Sequence, residues 1–160
     1  MALDRQGMGL TSLRILIGVF FLFQGFSKLR WFVDTSLLAQ QLAGWAHGVA
    51  PGSISARYLQ HVAIPYTSFF ARLVPLGEIC SGIAMLVGFW TSLFAFVAFV
   101  VALNVHIASG AIFQYSFLMN GYGLPVLGGT LALAIGGVRL PWSIRSSWTR
   151  LFQSSLRPPE

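Results

Sequence analysis

The chain has 160 residues, of which 56% are hydrophobic and only 9% charged, with a mean hydropathy of +0.73. A soluble domain carries about a quarter charged residues, so these values exclude one and describe an integral membrane protein. The net charge of +6 does not describe a nucleic-acid binder. The basic residues stand scattered at the ends of apolar runs with no stripe between them, and membrane lipid headgroups are the partner this pattern fits. The single cysteine, Cys80, excludes an internal disulfide, and no C-x-x-C pair exists for thiol relay or zinc.

In chain order, residues 1–11 are a short polar tail with Asp4 and Arg5, followed by the first apolar run at 13–29. A cleaved signal peptide would show an A-x-A-like site after this run, whereas Lys28 and Arg30 close it instead. Three further runs, at about 70–89, 93–112 and 122–138, complete four candidate spans, the last of them short. The fold class expected is therefore all-α: a single integral-membrane domain, 1–160, built as a four-helix bundle. Four spans put both termini on one side, with Arg5, Arg14, Arg139, Arg145, Arg150 and Arg157 against Lys28, Arg30, Arg57 and Arg72 on the other. That bias places both termini in the cytoplasm of a bacterial inner membrane, with the connector 31–69 facing outward.

The connector carries its own helical signals. Asp34-Thr35-Ser36 reads as a helix start, with Leu38, Leu42 and Trp45 at helical spacing behind it. A second short helix over 53–62 presents Ile54, Tyr58 and Val62 on one side and ends before Pro65. Both are expected to lie in the interface over the mouth of the bundle. Residues 90–92 read as a tight turn, and Phe113, Tyr115 and Phe117 as interfacial aromatics. The tail 139–160 groups Ile144, Trp148, Leu151 and Phe152 on one face, as an amphipathic helix on the cytoplasmic leaflet would.

Glu78 is the residue that demands an explanation. It lies about 10 Å inside the second span by the helical rise, where an unpaired carboxylate costs several kcal/mol or gives up its charge. Lys28 and Gln24 end the first span on the outward side, and His106 lies within about two turns of the outward end of the third. These levels predict a buried Lys28–Glu78 pair, with Gln24 and His106 adding hydrogen bonds. Pro75 withdraws a donor from the carbonyl of Ala71, just before Glu78. Arg14, Gly18, Gly25 and Lys28 share one face of the first helix, and Thr91, Ala95, Ala98, Ala102, His106 and Ser109 form the small or polar stripe of the third, with Asn104 pointing elsewhere. Arg14 belongs to the inner half and is expected to snorkel to headgroups. Cys80 reads as a small buried filler, Trp45, Trp90, Trp142 and Trp148 as interface anchors, and His47 and His61 as loop residues.

The run L-R-I-L-I-G-V-F-F-L-F-Q-G-F-S-K-L at 13–29, followed by R-L-V-P-L-G-E-I-C-S-G-I-A-M-L-V-G-F-W-T at 72–91, resembles the DoxX family of small four-helix membrane proteins. The likeness rests on an arginine and G-x-x-K-L in the first helix and G-E-x-x-x-G-x-x-L-x-x-G-x-x-T in the second. Here these are Arg14, Gly25, Lys28, Leu29, Gly77, Glu78, Gly82, Gly88 and Thr91, and the likeness extends from about residue 13 to 144. It is nearest to the branch holding the DoxD subunit of thiosulfate:quinone oxidoreductase. The resemblance implies a membrane subunit of a quinone-linked oxidoreductase, with quinone as electron acceptor and no covalently bound cofactor or metal. On that reading Glu78, Lys28 and His106 are the candidate catalytic residues, and Gln24, Arg14 and Arg72 the candidate substrate- or quinone-binding ones.

One constraint from the residues bears on that reading. The chain offers no set of cysteines for an iron–sulfur cluster and one intramembrane histidine, too few for a haem held by two histidines. A partner redox subunit is therefore implied, and a homo-oligomer is an open alternative. Two other classes compete. One is a non-catalytic scaffold or assembly subunit of a redox complex, in which Lys28–Glu78 only fixes helix register. The other is a small-molecule transporter, for which the sequence offers neither an inverted repeat nor a pair of broken helices.

Overall fold

A computed structural model describes residues 5–137 and 140–144, and those residues are helical, with no strand among them. Helices α1 (Arg5–Ser27), α4 (Thr67–Val87) and α5 (Thr91–Ala108) are long and apolar enough to cross a membrane. Between α1 and α4 run α2 (Ser36–Gly48) and α3 (Ile54–Tyr58), the latter continuing into a π turn at Leu59–Ala63. After α5 come α6 (Ser116–Met119) and α7 (Leu124–Gly136). The expected fourth span is thus a helix of 13 residues, about 20 Å long against about 30 Å of hydrocarbon. Gly121 and Gly123 precede it, and Pro125 sits in its first turn, so the helix cannot start as early as the apolar run does. The expected amphipathic tail helix, with Arg145, Trp148, Arg150, Leu151 and Phe152, lies outside the described residues, as do Asp4, Arg139 and Arg157.

The four apolar helices pack in a ring: α1 on α4, α4 on α5, α5 on α7, and α7 back on α1. Each neighbour runs antiparallel to the last. Gly18 of α1 lies against Gly82 and Leu86 of α4, whereas Gly25 lies against Pro75 and Ile79, one end of the pair being the mirror of the other. In the same way Leu10 meets Gly136, Ile17 meets Gly129, and Phe20 stacks on Tyr122. Ile17, Phe21, Met85, Ala95, Ala98, Val126 and Leu133 fill the centre. The turn from α4 to α5 is as tight as expected, made by Gly88 at φ 71° with Trp90 also left-handed. Only the glycine adopts that backbone without strain.

Helices α1 and α4 approach each other most closely, and glycine is the cause. A Cβ built on Gly82 would lie 2.6 Å from the backbone nitrogen of Leu22 and 2.8 Å from its Cα. Without a hydrophobic driving force between helices in lipid, such small-residue contacts let backbones approach and gain dispersion energy. Pro75 does not interrupt α4, which stays helical through it, and the proline carbonyl instead faces Gly25.

The connector makes a second core over the N-terminal end of α4 and the C-terminal end of α5. Leu38 and Leu42 of α2 bury as the spacing predicts, against Leu59, Ala63, Ala71 and Ala108. Helix α2 begins at Ser36, whose N–H donates to Asp34 Oδ1 at 2.9 Å. The Ser36 hydroxyl and amide together hold the exposed Asp34 carboxyl below the usual carboxylate range. For the second connector helix the expected face is wrong. Ile54 and Val62 are exposed, and the buried face is Ser55, Leu59 and Ala63. Small Ser55 lets the segment sit on α5 and donates to the carbonyl of Ile107 at 2.6 Å, while the Asn104 amide bonds the Tyr58 hydroxyl. The apolar residues Ile54 and Val62 are left for lipid.

If the Gly82 contact sets the α1–α4 distance, Gly82→Ala should destabilise the protein by about 1–3 kcal/mol, the usual cost of overpacking. Gly128→Ala, at a position with nothing within 4 Å of the new methyl, should cost nothing. Unfolding by SDS titration in mixed micelles measures both.

Candidate functional site

Lys28 follows the last turn of α1, its N–H donating to the Gly25 carbonyl at 3.1 Å. From there its side chain crosses the glycine-thinned interface to Glu78, with Nζ 2.5 Å from Oε1 and 2.7 Å from Oε2. One ammonium thus satisfies both carboxylate oxygens, and only 16% of the lysine side chain and 6% of the glutamate is exposed. Gln24, one helical turn back, accepts a third bond through Oε1 at 3.4 Å. The Trp31 ring lies 5.9 Å from the ammonium, within cation–π range. The pair fulfils the sequence expectation, and its geometry is of the charge-assisted kind that offsets desolvation.

Beside the pair is a cavity of about 120 Å³, lined by Phe20, Gln24, Lys28, Glu78, His106 and Tyr122 among others. An apolar cavity of about 150 Å³ holds one benzene ring, so this space is of the size of a single six-membered ring. Its walls are mostly apolar, with the polar side chains of Gln24, Lys28, Glu78 and His106 among them. That combination is the usual composition of a small-molecule site.

His106 lines this cavity but does not bond to the ion pair, contrary to expectation. Its Nε2 lies 3.0 Å from the carbonyl oxygen of Tyr122, and the Phe117 ring meets it edge-on at 5.0 Å. A carbonyl only accepts, so Nε2 carries the proton and Nδ1 is the basic nitrogen of the neutral ring. The loop before α7 has taken the place that Glu78 was expected to fill.

The remaining sequence candidates lie elsewhere. Arg72 is exposed on α4 and donates to its own helix at the Ser68 carbonyl, 2.9 Å away. Arg14 is fourteen residues from Lys28, about 20 Å along the helix axis, and is 1% exposed. It does not snorkel. The 140–144 segment folds over it, Nη2 donates to the Trp142 carbonyl at 3.1 Å, and Gly88 and Ser143 lie against the guanidinium. Its Nε and Nη1 have no acceptor among the described residues. Cys80 is exposed rather than a buried filler, being two residues and therefore about 200° round the helix from Glu78.

Phe20 and Tyr122 are among the lining residues that escaped the sequence reading. Phe20 had a signal, since Phe20, Gln24 and Lys28 recur at four-residue spacing on one helical face. Tyr122 had none, because it comes from a loop whose path only the tertiary structure defines.

Breaking one side of a buried ion pair is costly, whereas replacing both sides with apolar groups is not. Lys28→Met should therefore lower stability by about 3–5 kcal/mol, and adding Glu78→Leu should restore most of it. The same SDS titration reads the cycle, and strictly additive losses would contradict the pairing.

The DoxX family model matches residues 9–110. That segment holds α1, the connector, α4, α5 and every member of the ion-pair cluster. No curated protein and no solved structure gives a significant match to the chain. A match across well over half of the chain, on helices apolar and long enough to cross a bilayer, settles the family: this chain belongs to the DoxX family of membrane proteins.

Proposed function

We propose that this chain is a membrane subunit of a quinone-linked oxidoreductase, with the quinone ring received in the cavity beside Lys28 and Glu78. The observation that carries the reading is the juxtaposition of a closed Lys28–Glu78 pair with an aromatic-walled, ring-sized space that also holds His106. Membership of DoxX, a membrane family associated with oxidoreductase-linked functions, supports it. In this reading α7 completes a four-helix membrane bundle in the bacterial inner membrane, both termini are cytoplasmic, and the site opens in the outward half.

Reduction of a quinone to a quinol takes up two electrons and two protons. The residues present suit the proton half. The Gln24 amide donates to a ring oxygen as negative charge develops on it, and the nearby Lys28 ammonium stabilises that charge through space, which lowers the barrier electrostatically. His106, in the cavity wall, and Glu78 relay protons to the ring. The electrons come from a donor outside this chain, through a partner redox subunit. The resemblance to the DoxD subunit makes thiosulfate the first donor to test.

The scaffold reading draws on a different aspect of the same pair: both carboxylate oxygens are already satisfied by Lys28, as a register-fixing contact would have them. The two readings part in one experiment. In native membranes with partner subunits present, His106→Gln should lower quinone-linked turnover by about a hundredfold or more, and Glu78→Gln should lower it too, while both proteins remain folded and assembled. Full turnover in a folded, assembled Glu78→Gln protein would refute the catalytic reading. Loss of a copurifying partner with turnover intact elsewhere would favour the scaffold.

A further inference from the structure

Tyr122 does two things at once. Its ring stacks on Phe20, with centroids 5.8 Å apart and an interplanar angle of 28°, and its carbonyl holds the His106 Nε2–H. Both rings line the cavity, and together they form its wall where α1 meets the loop before α7. Tyr122 is 62% exposed, so the far face of this wall is the outer surface of the protein. Around it Leu16 and Phe23, one turn to either side of Phe20, and Leu124 are exposed and apolar. The Phe20–Tyr122 stack is therefore a side partition, one aromatic pair thick, between that apolar surface and the half-open ion-pair cavity.

The partition is built to move. Tyr122 is flanked by Gly121, which has nothing within 4 Å of a built Cβ, and by Gly123, which is pressed against the Phe117 carbonyl and ring. One side of the residue is free and the other anchored. Apart from the stack and the His106 bond, the contact that fixes it is its own N–H donating to Asn120 Oδ1 at 2.8 Å. Displacing the Tyr122 ring carries the carbonyl with it, because both belong to one residue between two glycines.

We propose that Tyr122 is a gate through which a lipid-dissolved ring enters the cavity sideways between α1 and α7, and that its opening releases the His106 Nε2–H to the incoming ligand. The inference rests on the quinone reading of the cavity given above and adds the route and the coupling. In the closed state the histidine proton is occupied by a backbone carbonyl. In the open state the Nε2–H is free to hydrogen-bond a ring oxygen at the moment the ring arrives, so entry and positioning of that donor are one motion. Tyr122 is a positioning residue in this scheme and His106 the group that meets the ligand.

The test uses the full chain in lipid nanodiscs and a quinone bearing a long alkyl tail, read by quenching of Trp31 fluorescence, with Trp31→Phe as the reference for quenching elsewhere. Tyr122→Ala removes the stack, and Asn120→Ala removes the anchor while keeping the ring. Each should speed both association and dissociation by about two- to tenfold, the range an aromatic contact accounts for, so that affinity changes less than either rate. Tyr122→Phe should behave as the unmodified protein. Imidazole nitrogen NMR should show the hydrogen-bonded Nε2–H of His106 lost when quinone is added, a change that a merely structural tyrosine would not produce. Quenching with identical rates in all variants would overturn the gate and leave the cavity reading standing. Absence of Trp31 quenching in the unmodified protein would overturn both. Faster rates with an unchanged His106 signal would overturn the coupling.

Discussion

A carboxylate within an apolar span must be matched by a cation at the same depth, and this requirement organises the molecule. Glu78 is 5% exposed on α4, and Lys28, at the end of the antiparallel α1, closes on both of its oxygens. Removing the charges from water is expensive, and mutual attraction in a low dielectric offsets that cost only at contact distance. The same two helices are also brought close by the glycines at 18, 25 and 82, since a methyl group at Gly25 or Gly82 would run into the opposite helix. The ion pair and the glycine contact are thus one device, in which the small residues set the spacing and the charges set the register.

The residues on which the family resemblance rests make sense in these terms. Several of them are partners across the α1–α4 interface rather than separate marks along the chain. Lys28 meets Glu78, Gly25 meets the Pro75 carbonyl, and Arg14 lies against Gly88 at the far end. The cation Arg14 therefore stands beside the C-terminus of α4, where the helix dipole favours it, and donates to the Trp142 carbonyl. One end of the interface is fixed by an ion pair and the other by a cation that stands beside the end of α4 and donates to the Trp142 carbonyl. The cavity lies on the ion-pair side, where α5 and α7 close the ring with less intimate contact than α1 makes with α4.

Much of this was legible before any coordinates. The three long apolar helices followed from apolar run length, and the Lys28–Glu78 pair followed from charge and depth alone, because few groups at that level are able to neutralise an acid. What was not legible depended on backbone atoms and loops, which leave no pattern in the side chains. His106 was placed correctly near the site, but its partner is the Tyr122 carbonyl, and no spacing rule predicts a bond to a loop carbonyl. Arg14 was expected to snorkel because the fold of residues 140–144 over it was invisible. The second connector helix was read with Ile54 and Val62 inward by the logic of soluble helices. The segment instead buries Ser55 together with Leu59 and Ala63 and leaves Ile54 and Val62 exposed. Cys80 is likewise exposed.

The central claim is that the Lys28 ammonium and the Glu78 carboxylate are in direct contact inside the bilayer. Solid-state NMR dipolar recoupling between isotope-labelled Lys28 Nζ and Glu78 Cδ, recorded on the protein in lipid, measures that separation directly. The account predicts strong coupling, as expected of an ammonium bonded to both oxygens at 2.5 and 2.7 Å. No detectable coupling, with the glutamate instead close to acyl-chain protons, would contradict it.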